Sequence, residues 1–232
     1  MLVAFLVPSA TTADEGMSTQ VYDGRFSFIL PEDWLVIPPE HIEELIMWMA
    51  ESTNGRSVEV YQHGFVPSTF ESDPWLPNLL VQIRESGRLS YGRFLHLEPP
   101  DELRTTSEKT HPTGLPPLVE GVAVEDAYFD SERLCVRLEH VLDLRFKGRI
   151  RVLTAAFLTE RGIVALHLTD RERRIAESRE LFDAIVDSAE VAPDIAYQPR
   201  VTDRWPGLPF FIAAALVAAA LAAFLLFRRG QS

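Results

Sequence analysis

His140 is the first residue whose setting invites chemistry. It lies between Leu138 and Leu142 in an alternating stretch, on the side where its neighbours are apolar. An imidazole there could titrate near neutral pH or ligate a metal. A core side chain bonded to backbone explains the same position. His63 shares the parity of Glu59 and Tyr61, and a neighbouring carboxylate would complete a cation site. A polar strand face open to solvent gives the same spacing. Arg137, Glu139, Asp143 and Arg145 form a charged stripe, with Arg149 and Arg151 across the next turn. Such a stripe suits an anion or a protein partner; it also suits cross-strand charge pairing on the solvent side. Cys135 reads as a small buried hydrophobe rather than a nucleophile. Ile46-Met47-Trp48-Met49 holds more apolar surface than one helix face needs. Met47 and Trp48 are therefore interface candidates, beside the plainer reading of core packing.

None of these makes a catalytic signature. G-x-S-x-G, P-loop, H-E-x-x-H and EF-hand patterns are absent. The six His residues include no pair at i, i+4. No catalytic residue, cofactor or metal is expected. A single Cys excludes an intrachain disulfide. The net charge of −12 argues against a nucleic-acid groove, which needs a basic surface. Only Lys109 and Lys147 break an otherwise all-Arg set of 22 basic residues, a bias associated with GC-rich bacterial genomes.

The elements that must position these groups follow from periodicity. Asp23-Gly24 is a hairpin dipeptide beside a strand over 26–30. Ile42, Leu45, Ile46 and Met49 predict an amphipathic helix over 39–51. A strand is expected at 58–63. Leu76, Leu79, Leu80 and Ile83 predict a helix over 75–86, stopped by Gly87, and 91–97 alternates like a strand. Residues 98–118 carry five of the 16 prolines and read as a long loop. Strands over 121–129, 134–146, 149–158 and 162–169 then run up and down. In the longest, Val136, Leu138, Leu142 and Leu144 oppose the charged stripe, the pattern of an antiparallel sheet with one buried face. A closing helix over 171–189 is capped by Asp170.

The chain ends differently. Residues 192–207 hold Pro193, Pro199 and Pro206 without apolar periodicity and read as a linker. Residues 208–227, LPFFIAAALVAAALAAFLLF, carry no charge. As a helix they reach about 30 Å, the thickness of a hydrocarbon core. They are expected to span a membrane once, with Trp205 at the interface and a short basic tail over 228–232. Arg200 and Arg204 before the span balance Arg228 and Arg229 after it. Residues 1–17 resemble a signal peptide trimmed at its start, with Thr11 and Ala13 suited to a cleavage site. The domain at 18–191 is therefore expected on the periplasmic side of a bacterial inner membrane. The alternative starts at Met17 and leaves a tail-anchored cytoplasmic domain.

The opening Phe26-x-Phe28-x-x-Pro31-x-x-Trp34, the strand–helix order after it and the closing Phe182-x-x-Ile185-x-x-Ser188 together resemble the PsbP-like superfamily. Its relatives include Ran-binding Mog proteins and DcrB-type bacterial lipoproteins. The resemblance covers 21–191 and implies an α+β fold: an antiparallel meander packed with helices in an α/β/α sandwich. It also implies a non-enzymatic habit of binding proteins or supporting assemblies, and it carries no catalytic residue. The expectation is a membrane-anchored binding or scaffold domain with a protein partner, whose candidate surface is Arg137, Glu139, Asp143, Arg145, Met47 and Trp48. The alternatives are a hydrolase-like enzyme with a dispersed site, or a cytoplasmic adaptor.

Overall fold

A computed structural model describes residues 16–52, 60–68, 76–94, 119–144, 148–200 and 203. The leader-like start at 1–15, the loop at 98–118, Arg145 and the apolar segment 208–227 lie outside the described residues, as does the side chain of Trp48. Among the described residues no helix is long and apolar enough to cross a membrane.

The chain opens with a hairpin, β1 (Met17–Val21) and β2 (Phe26–Leu30). Its turn places Tyr22, Asp23 and Gly24 at φ of 55°, 55° and 76°, where Asp and Gly are well tolerated. A short β3 (Trp34–Val36) leads into α1 (Pro39–Ser52), as the apolar spacing predicts. Then come β4 (His63–Pro67), β5 (Asn78–Arg84) and the four long strands β6 (Val119–Asp130), β7 (Cys135–Leu144), β8 (Gly148–Leu158) and β9 (Ile163–Arg171). Helix α2 (Ile175–Asp187) and a two-residue β10 (Glu190–Val191) follow. The large sheet has the order β3-β4-β5-β9-β8-β7-β6, and the small one β1-β2-β10. Every pairing is antiparallel. The result is α+β, with the expected meander as its larger half.

One face of the large sheet packs against α2 and the small sheet. Phe26, Phe28, Leu30, Phe157, Leu166 and Phe182 are among the residues of that core. On the other face α1 contributes Ile42 to a smaller cluster with Ile37, Tyr61, Val66 and Leu80. A helix thus lies on each side of the sheet.

Several predicted elements are corrected. The expected helix over 75–86 is instead strand β5, paired with β4 and β9. Leu79 and Val81 enter the larger core while Leu80 enters the smaller one. A strand buried on both faces loses its period of two, and a continuous apolar run mimics a helix. The expected strand at 91–97 starts as a 3-10 turn, Tyr91–Arg93. Its backbone is held from the side: the Tyr91 N–H donates to the Tyr197 hydroxyl at 3.2 Å, and the Tyr91 ring stacks on Phe129. Of the strand expected at 58–63, residues 58 and 59 lie outside the described residues, 60–62 are not in a strand, and β4 starts at His63.

Asp170 is not the cap of α2, which is entered through a 3-10 turn at Glu172–Arg174. Its buried carboxylate instead ties β9 to the helix. It accepts from the Arg171 N–H at 2.7 Å, the Arg174 guanidinium at 2.6 Å and the Ser178 hydroxyl at 2.5 Å.

The linker expected over 192–207 differs most. Residues 192–200 and 203 lie on the domain. Ile195 is fully buried in the larger core. Its carbonyl accepts from the Glu160 N–H at 2.9 Å, and Ala196 bridges to Thr159. Asp203 is buried and receives both ends of the Arg88 guanidinium, with the Nη1 bond at 2.6 Å. Arg88 also lies 4.4 Å over the Tyr197 ring. The segment docks through single side chains, not through a regular face, so periodicity could not reveal it. The Arg88 hydrogen bonds hold the Asp203 pKa down at about 2, against an ordinary 3.8, despite the opposing effect of burial. A depressed carboxylate stabilises above its unfolded pKa and loses that contribution on acidification. The Asp203 tie, and with it the docking of 192–200, should therefore be complete above pH 4 and weaken from there toward pH 2. Limited proteolysis across that window reads the release; constant protection would contradict it.

Candidate interaction surface

Strand β7 alternates as expected, but its charged face is the one that packs toward α2. Val136 and Leu144 are buried on one side, with Leu138, His140 and Leu142 partly so. Arg137, Glu139 and Asp143 do not open to bulk solvent as a free stripe. They lie on the face that carries α2, which the strand alone does not reveal.

Two registers set the strand side of the site. Tyr128 of β6 stands directly opposite Arg137, and Glu139 lies opposite Leu153. Arg137 reaches across to Asp183 of α2 and lies 5.2 Å over the ring of Phe182. Phe182 itself is 1% exposed, so the guanidinium rests on the roof of the core. One turn earlier on α2, Arg179 donates to Glu139 at 2.6 Å. Glu139 also accepts from Arg151 at 2.6 Å. Arg151 and Arg149 both bond Glu172 at 3.1 Å, and Arg149 pairs with Asp143 across the β7–β8 hairpin, also at 3.1 Å. Glu125 caps the set through Arg151. Predicted cross-strand pairing is thus present at Asp143 with Arg149 and at Glu139 with Arg151, while Arg137 and Glu139 are also bridged to the helix.

The electrostatics follow from that geometry. Burial pushes the Glu139 pKa up, but hydrogen bonds from Arg179 and Arg151 outweigh it and leave it below the usual carboxylate value. Glu139 is ionised at neutral pH and holds two guanidiniums in place. A shallow groove opens between β6, β7 and α2, lined by Asp126, Tyr128, Arg137, Arg179 and Asp183 among others. Tyr128 stands at its mouth with 48% of its surface exposed. A half-exposed aromatic beside two arginines, braced from below by ion pairs, is a rigid contact cluster. Tyr and Arg carry a disproportionate share of binding energy at protein interfaces.

The other candidates fall out differently. Met47 is exposed on α1, while Ile46 beside it packs toward the smaller core. Neither the Trp48 side chain nor Arg145 belongs to the described residues. His63 is partly buried and burial lowers its pKa, so it is neutral at pH 7; Glu59 lies outside the described residues. His140 lies on the face away from α2, opposite Val152 and Val124. The two histidines do not share a strand pair. Among the described residues no group of three or more His, Cys, Asp and Glu converges on a cation position.

Cys135 is 0% exposed, within the core under α2, and burial pushes its thiol up to about 12. A neutral, enclosed thiol neither attacks nor ligates. Native protein should take up no maleimide at pH 7, and denatured protein should take up one equivalent. Rapid labelling of the native form would contradict a buried position for Cys135.

Tyr128, Arg179 and Asp183 are site residues that the sequence pattern does not single out. Arg179 and Asp183 are spaced i, i+4 and flank Phe182 on one helix face. Two charges beside a core aromatic, on a helix that must cover a sheet, are the available signal.

No family model matches the chain. No curated protein matches it either. Among solved structures it is similar to the solution structure of cyanobacterial PsbP (CyanoP) from Synechocystis sp. PCC 6803. That match has 16% identity and a TM-score of 0.44, and covers 80% of this chain and 99% of the other. It is also similar to the Saccharomyces cerevisiae Ran-binding protein Mog1p, at 12% identity and a TM-score of 0.43, covering 77% and 96%. These are a PsbP and a Mog protein, two of the types whose resemblance the sequence carries; neither is a DcrB-type lipoprotein.

Proposed function

We propose that this chain is a membrane-tethered, non-enzymatic binding domain that recognises a protein partner through the groove between β6, β7 and α2. The observation that carries this reading is the pairing of exposed Tyr128 with Arg137, which is stacked on buried Phe182 and bonded to Asp183. The arginine loses little freedom on contact because it is already held, and preorganised side chains bind at lower entropic cost. The apolar run at 208–227 supports tethering, and the leader-like start supports a periplasmic position for the domain.

The groove offers both signs of charge and an aromatic, which fits a protein segment better than a strongly acidic or basic polymer. Partner capture from native membranes should fall at least tenfold for Tyr128→Ala and for Asp183→Arg, about 1.4 kcal/mol or more of binding. The same capture should survive Val60→Ser, a change at another exposed apolar residue. Equal recovery with all three variants would remove the groove from consideration.

A further inference from the structure

Residues 192–203 sit between the folded domain and the apolar segment that begins at Leu208. They are bound at four places. Ala192 donates to the Arg25 carbonyl at 2.8 Å, and the Ile195 carbonyl accepts from Glu160. The Gln198 N–H donates to the Glu160 carboxylate at 3.0 Å. Arg88 then holds Asp203 and donates also to the Gln198 carbonyl, at 2.9 Å. Ser90 closes the set with a 2.9 Å bond to the Asp203 carbonyl.

Covalent reach turns this docking into a distance. Only four residues, Arg204 to Gly207, separate Asp203 from Leu208. Fully extended, that stretch spans no more than about 18 Å. The headgroup layer takes up about 6 Å of it. A free stalk over 192–207 would reach about 55 Å. The docked segment therefore brings one end of the domain close to the lipid surface, whatever path the last residues take.

That end is also suited to the surface in charge. It gathers the close of β5 and the β8–β9 turn. The Gly87 N–H donates to the Arg161 carbonyl at 2.9 Å. At Gly162 a Cβ would meet the Arg84 carbonyl oxygen at 1.9 Å, so the two backbones touch. Arg84, Arg161 and Arg200 are exposed there. With Arg88 and Arg25 they set five guanidiniums against Asp23, Glu85, Glu160, Asp194 and Asp203, a balanced end in a chain of net charge −12. This end is not repelled by anionic headgroups as the rest of the surface would be.

We infer that residues 192–200, together with Asp203, strap the domain directly onto the lipid surface by its Arg88–Asp203 end, with Arg84, Arg161 and Arg200 toward the headgroups. The inference rests on the spanning reading of 208–227. It deepens the proposed function by giving the domain a fixed height and orientation.

The test compares two labelled positions on the full chain in vesicles of phosphatidylcholine and phosphatidylglycerol. Cys135 is buried and does not interfere. Ser86→Cys labels the near end. Arg173→Cys labels the far end, about 33 Å away along the 11 residues of β8. A headgroup-attached quencher should reduce fluorescence at the near label several-fold more than at the far one. Asp203→Asn should bring the two labels toward equal quenching. Equal quenching in the parent chain, with the protein still in the vesicle fraction, overturns the strap and leaves the spanning reading standing. Recovery of the full chain in the soluble fraction without detergent overturns both. A near–far difference untouched by Asp203→Asn also overturns the strap, because the seat would then owe nothing to the clamp.

Discussion

Phe182→Ala is expected to destabilise the domain by about 4 kcal/mol, the upper part of the range for large-to-small core changes. The ring is 1% exposed and meets the small sheet, the large sheet and α2 in one cluster. Truncation leaves a cavity that the flanking strands cannot close, since both belong to paired sheets. It also removes the platform under Arg137, a contact worth about 0.5–1 kcal/mol by itself. Urea unfolding of the full chain in mild detergent measures the loss. Tyr128→Ala, at the mouth of the groove above it, should cost under about 1 kcal/mol, because an exposed side chain leaves no cavity. The two changes thus separate core from surface at one site. A loss below about 1.5 kcal/mol for Phe182→Ala would mean that α2 does not pack as described.

Asp170→Ala is the second large effect. Its carboxylate is buried and accepts from three donors on β9, the 3-10 turn and α2. Removing it strands the Ser178 hydroxyl, which is itself buried, and unpairs Arg174 at the helix entrance. Arg174 is 40% exposed and can turn to water, so the stranded buried hydroxyl sets the cost, about 1–3 kcal/mol. Asp170→Asn keeps the shape and one acceptor oxygen, and should recover part of the loss. Equal stability of the alanine and asparagine variants would show that neither side-chain shape nor a neutral acceptor helps fix α2 on the sheet, and would leave the negative charge as its tie.

The meander is legible in the sequence because β6 to β9 each keep polar and apolar residues in alternation or in long β-branched runs. Leu134 through Asp143 shows it most plainly. Strand β5 is concealed for the opposite reason. Leu79, Leu80 and Val81 are buried toward two different clusters, and nothing in a continuous apolar run tells a strand from a helix. The strap is hidden because Ile195, Tyr197 and Asp203 dock singly, and Pro193 and Pro199 read as linker composition.

Half of the candidate surface is legible. Arg137, Glu139 and Asp143 can be read as one strand face. Their partners cannot, because Arg179 and Asp183 lie about 40 positions away and only the packing of α2 brings them close. That packing also changes the meaning of the stripe. Glu139 carries two arginines, so its negative charge is neutralised inside the network. Tyr128, Arg137 and Arg179 are what remains to meet a partner.

The most direct measurement is site-specific photocrosslinking in native membranes, with a photoreactive amino acid at position 128 and, separately, at position 60. A discrete adduct to another protein from position 128, lost with Asp183→Arg and absent from position 60, is the expected result. An adduct from position 60 alone, or one from position 128 that ignores Asp183→Arg, would contradict a partner-binding groove between β6, β7 and α2.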